Sequence, residues 1–189
     1  MRCYACLHQQ LFELGPYTVS PVEEAQIERI RLWRNAQMDV LRQSAPIEPQ
    51  QQVDYFAKHI WPTMALATPT NMLVSFFLDQ QMIGYGGLVH IAWEYARAEI
   101  SFLLSPDRVE DKDVYEADFS AFLTLMKHMA FDDLKMHRLF TETYDIRPLH
   151  IAILEHNGFV REGVLRQHVK INNKAIDVVL HGCLNQHEQ

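Results

Sequence analysis

The run from Met136 to Gly163, MHRLFTETYDIRPLHIAILEHNGFVREG, changes its hydrophobic period twice within one short segment. His137 to Tyr144 alternates around Leu139, Thr141 and Thr143 and is rich in β-formers, which predicts a strand. Asp145 offers a helix cap, Pro148 suits a first helical position, and Ile151 and Leu154 give the helix an apolar face. Asn157-Gly158 supplies the stop that a positive-φ residue makes, and Phe159-Val160 opens the next strand. A strand, a tight turn, a short helix, a glycine and a strand leave few choices beyond a mixed α and β architecture.

The rest of the chain agrees with that reading. Residues 11–19 (LFELGPYTV) predict a first strand interrupted at Gly15-Pro16. Ser20 and Pro21 then open a helix, with Glu23 and Glu24 in its first turn and Ile27, Ile30, Leu32 and Trp33 on its apolar side. A second helix is expected from Ile47 to Ile60, opening near Pro49 and closing before Pro62. Met72–Leu78, Met82–Ile91 and Glu94–Leu104 form an antiparallel meander, with a turn at Asp79-Gln80-Gln81. Val114–Phe131 is the third helix, and Lys174–Leu184 is the closing strand. No internal repeat or low-complexity linker divides the chain, so residues 1–189 are expected to form one domain, with 1–10 as an irregular extension.

The Met136–Gly163 segment resembles the C-terminal half of the GCN5-related N-acetyltransferase superfamily. The nearest branch is that of ribosomal-protein-alanine, amino-sugar and polyamine acetyltransferases. That branch typically ends in hRl-x-x-x-v-x-x-x-N-x-x-S-x-x-v-x-e-x-x-GF-x-x-EG. His137-Arg138-Leu139, Glu155, Gly158-Phe159 and Glu162-Gly163 match it, while Arg147 stands at the asparagine position and His150 at the serine position. The order β-α-α-β-β-β-α-β-α-β-β also resembles the superfamily over nearly the whole chain. The resemblance implies an acyl-CoA N-acyltransferase fold. Its central sheet, mostly antiparallel, would have about seven strands flanked by about four helices and splayed between the fourth and fifth strands.

Composition removes several other classes. The formal charge is −7 and no basic stripe is visible, which argues against a nucleic-acid partner. No apolar run approaches membrane-spanning length and no signal-peptide core opens the chain, so a cytoplasmic, non-membrane protein is expected. Three cysteines cannot build a disulfide framework. Cys3 and Cys6 form a C-x-x-C pair without a second ligand cluster, Cys183 lies in the last strand, and the ten histidines show no metal-binding spacing, so no metal is expected.

The resemblance implies where chemistry would sit. Acetyl-CoA would enter between the splayed strands, with the amides of Leu103 and Leu104 on the pantetheine and the acetyl oxygen. The pyrophosphate loop of the family, Arg/Gln-x-x-Gly-x-Gly/Ala, reads Arg108-Val109-Glu110-Asp111-Lys112-Asp113 here. Asp111 and Asp113 replace the small residues, where two carboxylates would repel the anion. Arg108, Lys112, Asp113 and Arg147 are the candidate cofactor contacts. Leu154 stands where many relatives carry a tyrosine that protonates the leaving thiolate. Glu99 is the first choice of general base and His90 the second, with Tyr144 and His150 as candidate donors to the thiolate. Arg97, Glu99 and Ser101 share one face of their strand. Trp33-Arg34-Asn35 is similar to a triplet of enzymes acting on amino-sugar nucleotides, with Trp33 walling the acceptor pocket and Arg34 holding an anion. These residues and Ser101 are the candidate acceptor contacts. The expected acceptor is a primary amine of a small molecule, either an amino-sugar nucleotide or a polyamine, or else a protein N-terminus. A homodimer through Asp177–Leu184 fits the resemblance. The alternative, drawn from Asp111 and Asp113, is a binding or regulatory protein that kept the fold and lost turnover.

Overall fold

The computed structural model describes Arg2–Gln186. Eight strands form one sheet: β1 (Phe12–Leu14), β2 (Tyr17–Pro21), β3 (Met72–Leu78), β4 (Gln81–Ala92), β5 (Arg97–Leu104), β6 (Arg138–Tyr144), β7 (Val160–Ile171) and β8 (Lys174–Leu184). Their order across the sheet is β1-β2-β3-β4-β5-β6-β8-β7. Every neighbouring pair is antiparallel except β5 and β6, which run parallel. The helices are α1 (Ile27–Ala36), α2 (Pro49–Tyr55), α3 (Pro106–Val109), α4 (Lys112–Lys127) and α5 (Pro148–His156).

Alternation along the strands assigns the two faces. Phe76 and Phe102 turn to one side, where Phe102 stacks on Phe119 at 4.6 Å between centroids and Phe76 meets Phe122 edge-on at 5.3 Å. Those partners belong to α4, which also packs on α5. Leu73, Tyr85 and Ser101 point the other way, into a cavity walled by Ile30 of α1 and Gln51 and Gln52 of α2. Burial of rings on the α4 face and of Ile30, Phe56 and Ile60 on the α1–α2 face fills both layers of the core.

Several expectations need correction. Residues 11–19 are a hairpin and not one broken strand: Leu14 pairs with Tyr17 across Gly15-Pro16, and Gly15 takes φ +57°, which is the eighth strand. Ser20 and Pro21 pair with Ser75 and Val74 and so belong to β2. The first helical turn is capped instead by Glu23, whose side chain meets the Gln26 backbone while Gln26 reaches back. The N-cap of α5 is Arg147, because the Asp145 N–H is still bonded to Asp177 in β8. The turn before β4 is Asp79-Gln80, and β5 starts only at Arg97, after a 3-10 turn at Trp93–Tyr95. Residues 2–10 hold no helix or strand, yet Tyr4 is fully buried and its hydroxyl accepts from the Leu73 N–H at 2.7 Å. Finally β8 lies between β6 and β7, so Asp177–Leu184 is paired along both sides and the sheet ends at β1 and β7.

The parallel pairing of β5 with β6 covers only Arg97–Arg138, Ala98–Leu139 and Glu99–Phe140. Beyond Glu99, β5 has no strand partner on that side among the described residues. The sheet is therefore open over its C-terminal half at this seam, which is the splay that the resemblance implied.

Candidate active site

A cleft of about 310 Å³ sits at this seam. It is lined by Glu99 and Ser101, which face α1–α2, and also by Ile100 and Phe102, which face α4. Residues from both faces can line one space only where the sheet is open. A second cavity, about 520 Å³, adjoins it on the α1–α2 side and shares Arg34, Tyr55, Val89 and Ser101. A third, about 360 Å³, lies between the segment after α1 and α5, and shares Val40, Arg147 and His150 with the cleft.

On the α1–α2 side Glu99 is only 7% exposed. Arg42 Nη2 donates to Glu99 Oε1 at 2.9 Å and to Glu142 Oε2 at 2.8 Å. His90 Nε2 lies 3.8 Å from the other Glu99 oxygen. Burial raises the Glu99 carboxyl above the ordinary carboxylate value, and the neighbouring Glu142 adds to this, while Arg42 and His90 oppose it. Ser101 and Tyr144 line the same cleft. His90 stands at φ +49° in the irregular stretch of β4 after Val89, which swings its largely exposed ring out from the sheet.

On the α4–α5 side Arg147 Nη2 donates to Tyr115 Oη at 2.8 Å, and Tyr115 Oη lies 2.8 Å from His150 Nδ1. Phe119 stacks on the His150 ring at 4.1 Å and 14°. Burial, then Arg147 and His181, push His150 well below its ordinary value, so the imidazole is neutral. Burial raises the Tyr115 phenol, with Arg147 opposing. Thr141 also lines the cleft; its buried Oγ1 has no hydrogen-bond partner among the described residues, and it faces His181, whose Nδ1 has none among them either.

The loop before α4 departs from the sequence expectation. Arg108 is committed to the fully buried Asp118, with Nε to Oδ2 at 2.6 Å and Nη2 to Oδ1 at 3.1 Å. Tyr17 donates to the same carboxylate at 2.9 Å, and its phenol is pushed up to about 12, by burial first and then by Asp118. Asp111 is the N-cap of α4, and its own carboxylate accepts from the Asp113 and Val114 N–H groups. These amides are the natural anion donors of a helix start, so a carboxylate of the chain already satisfies them. Lys112 and Asp113 are exposed.

Leu103 and Leu104 separate as well. Consecutive strand residues turn their amides to opposite edges, and the Ser105 N–H bonds to Ile83 in β4. Leu103 therefore turns its main chain to β4, whereas Leu104 and Phe102 turn theirs to the open seam. The Leu104 carbonyl accepts there from Gln37 Nε2 at 2.9 Å. Of the expected pair, Leu104 turns its amide to the open seam, together with Phe102, and Leu103 does not.

The triplet at the end of α1 builds a wall. Asn35 clamps the following loop, donating to the Ile47 carbonyl at 2.9 Å and accepting from the Ile47 N–H and Gln43 at 2.8 Å. Arg34 lines both the cleft and the second cavity, holding Tyr85 Oη at 2.7 Å and Gln43 at 3.1 Å. Trp33 packs against the core. Arg42 and Tyr115, both at the centre of the site, carried no motif signal; only their positions in space mark them.

These residues fit a thioester of coenzyme A over its reactive half. The seam offers unpaired strand amides, an apolar slot along Val40, Val109 and Leu149, and the orphaned Thr141 hydroxyl. Among the described residues no group of three or more His, Cys, Asp or Glu is arranged to hold a metal. No helix among them is long and apolar enough to cross a membrane.

Comparison with known proteins agrees. The profile of the Acetyltransferase (GNAT) domain matches residues 19–180. No curated protein sequence matches the chain. Among solved structures, the spermidine N-acetyltransferase of Vibrio cholerae in complex with CoA and spermine superposes with a TM-score of 0.76 at 20% identity, covering 91% of this chain and 97% of that one. A dodecameric structure of spermidine N-acetyltransferase from the same organism gives 0.75 at 19% identity, covering 93% and 97%. With the fold, the open seam and the matched domain in agreement, the chain belongs to the GNAT acetyltransferases, which transfer an acetyl group from acetyl-CoA to an amine nitrogen.

Proposed function

We propose that the acceptor is a primary amine of a small, cationic, polyamine-like molecule, attacked directly in a ternary complex. The observation that carries this is the α1–α2 mouth of the cleft, where Glu99 and Glu142 share the single guanidinium of Arg42. Two carboxylates thus stand at the mouth, with Arg34 lining the same cleft, and the chain as a whole is at −7. Paired carboxylates at the mouth can receive an ammonium, and the acidic surface draws cations towards it. The W-R-N triplet supports an amino-sugar nucleotide less, since Asn35 is engaged in holding the loop and Trp33 packs against the core. The spermine-bound relative with the same fold adds support.

Acetyl-CoA supplies the activated carbonyl. The unpaired amides of Phe102 and Leu104 face the seam and donate to the carbonyl oxygen as charge develops on it. Glu99, poised by burial, accepts the proton of the attacking amine, directly or through water. Arg147 and Lys112 are the cations left to meet the phosphates, because Arg108 is held by Asp118. Assembly of copies through the open edge of β7, with Val160 and Val164 exposed, belongs to the same reading.

The test is acetyl transfer from acetyl-CoA to spermidine, an amino-sugar nucleotide and a peptide with N-terminal alanine, measured side by side. Spermidine is expected to be the best acceptor. Glu99→Gln should lower kcat by about 10²-fold or more. Preference for the nucleotide or the peptide would overturn the acceptor assignment. No transfer to any amine would favour a non-catalytic binding role.

A further inference from the structure

One guanidinium in the cleft is held unlike others in the molecule. Arg31, Arg108 and Arg138 each meet one carboxylate with two nitrogens, the fork geometry in which arginine binds most firmly. Among the described residues, Arg42 donates from Nη2 alone, to Glu99 Oε1 at 2.9 Å and to Glu142 Oε2 at 2.8 Å. Its side chain is half-exposed, and an ion pair open to solvent in this way is weakly held. Arg42 lies in residues 41–48, which hold no helix or strand. Asn35 anchors that segment at Gln43 and Ile47, so the guanidinium can leave by rotation of its own stem while the backbone stays.

A single nitrogen shared by two carboxylates is the arrangement of an ammonium, which has three N–H donors and no fork. It lies where the nitrogen of an attacking amine must stand to give its proton to Glu99. We propose that Arg42 is a stand-in for the acceptor: its guanidinium fills the ammonium seat between Glu99 and Glu142 until a cation displaces it. The proposal rests on the reading of Glu99 as base and of this mouth as the acceptor's entrance. While Arg42 is seated, Oε1 of Glu99 is engaged, so water that reaches the thioester finds that oxygen taken and hydrolysis is held back. In that side reaction a water oxygen bonds to the carbonyl carbon, one water proton goes to Glu99 and the carbon–sulfur electron pair goes to sulfur. Acetic acid and the thiolate of coenzyme A leave. A neutral molecule cannot replace the guanidinium without leaving two neighbouring carboxylates uncompensated, whereas a cation can. Arg42 thus sets which nucleophiles reach the base, admitting amines and keeping out neutral ones.

The test uses Arg42→Met, which keeps the apolar stem and removes the charge. Without amine, release of coenzyme A thiol from acetyl-CoA should rise about tenfold in this variant, and KM for spermidine should fall by about the same factor. Guanidinium chloride at low millimolar concentration should bind the variant in calorimetry, compete with spermidine and suppress the hydrolysis again, with no such effect on the wild type. An arginine that only ties β5 to β6, or that itself holds the acceptor, would raise KM on removal. In wild-type protein labelled with nitrogen-15 arginine, spermidine should move the Arg42 side-chain signals to the position of a free guanidinium. A KM unchanged or raised in the variant, hydrolysis that does not rise, or spermidine bound with the Arg42 signals unmoved would overturn the proposal. Raised hydrolysis that guanidinium suppresses, in a protein that acetylates no polyamine, would uphold the seat and overturn only the acceptor assignment.

Discussion

At the scale of single residues, the site sets two groups against each other across one sheet: a carboxyl made more basic by burial and an imidazole kept neutral by it. Glu99 must be ionised to accept a proton, and burial places its ionisation above the ordinary carboxylate range. The rate kcat/KM for a fixed acceptor should therefore rise with pH through that raised value, and Glu99→Gln should remove this limb of the pH–rate profile while leaving any higher one. The same raised value makes ionisation of Glu99 a small burden on folding. Its contribution to stability is complete below the unfolded-state value and is lost as pH rises through the folded-state one. Glu99 and His150 were legible in the sequence because strand alternation and a spaced motif put them there. Arg42 and Tyr115 were not, since each reaches its partner from an element far away in the chain, at separations of 57 and 35 residues. No local pattern encodes such a meeting. The Phe102–Leu104 pairing was missed for a simpler reason: a strand cannot present two successive amides to the same edge.

At the scale of elements, α4 is fastened by a buried ionic contact where its relatives are expected to receive a phosphate. Asp118 on α4 is fully buried and holds both Arg108 and Tyr17. Removing the guanidinium leaves a buried carboxylate with one phenol for company, at a cost of about 3–5 kcal/mol. Arg108→Ala should lower the melting temperature by about 6–15 °C in differential scanning calorimetry. It should leave coenzyme A affinity in calorimetric titration changed by less than about threefold; a large loss of affinity with an unchanged melting temperature would return Arg108 to the cofactor. The sequence showed this loop as a departure, through Asp111 and Asp113, but could not show what the departure does. Asp111 reads as an ordinary cap once its two amide donors are seen. Element boundaries were legible where turn residues flank the strand, as in Met72–Leu78, between Asn71 and Asp79, and Lys174–Leu184, after Asn172-Asn173, which agree residue for residue. They were not legible at Gly15-Pro16, where a strand break and a hairpin turn look alike until a partner strand selects one.

At the scale of the whole molecule, the sheet is a wall with α1 and α2 on one side and α4 and α5 on the other, and the cleft passes through it between β5 and β6. Glu99, the proposed base, lies on one side and His150 on the other. Both substrates must then be present together, so initial rates over varied acetyl-CoA and amine should give intersecting lines in double-reciprocal form. Parallel lines would mean that an acetylated protein forms, for which this cleft offers no role. The seam is a short run of missing strand pairing, with neighbouring strands normally about 4.8 Å apart, so only the small reacting ends of the two molecules share it. Reactants that meet through a gap in a wall use separate doors. Neither product stands in the other's way out, and the order in which they depart is set by how tightly each room holds its own guest.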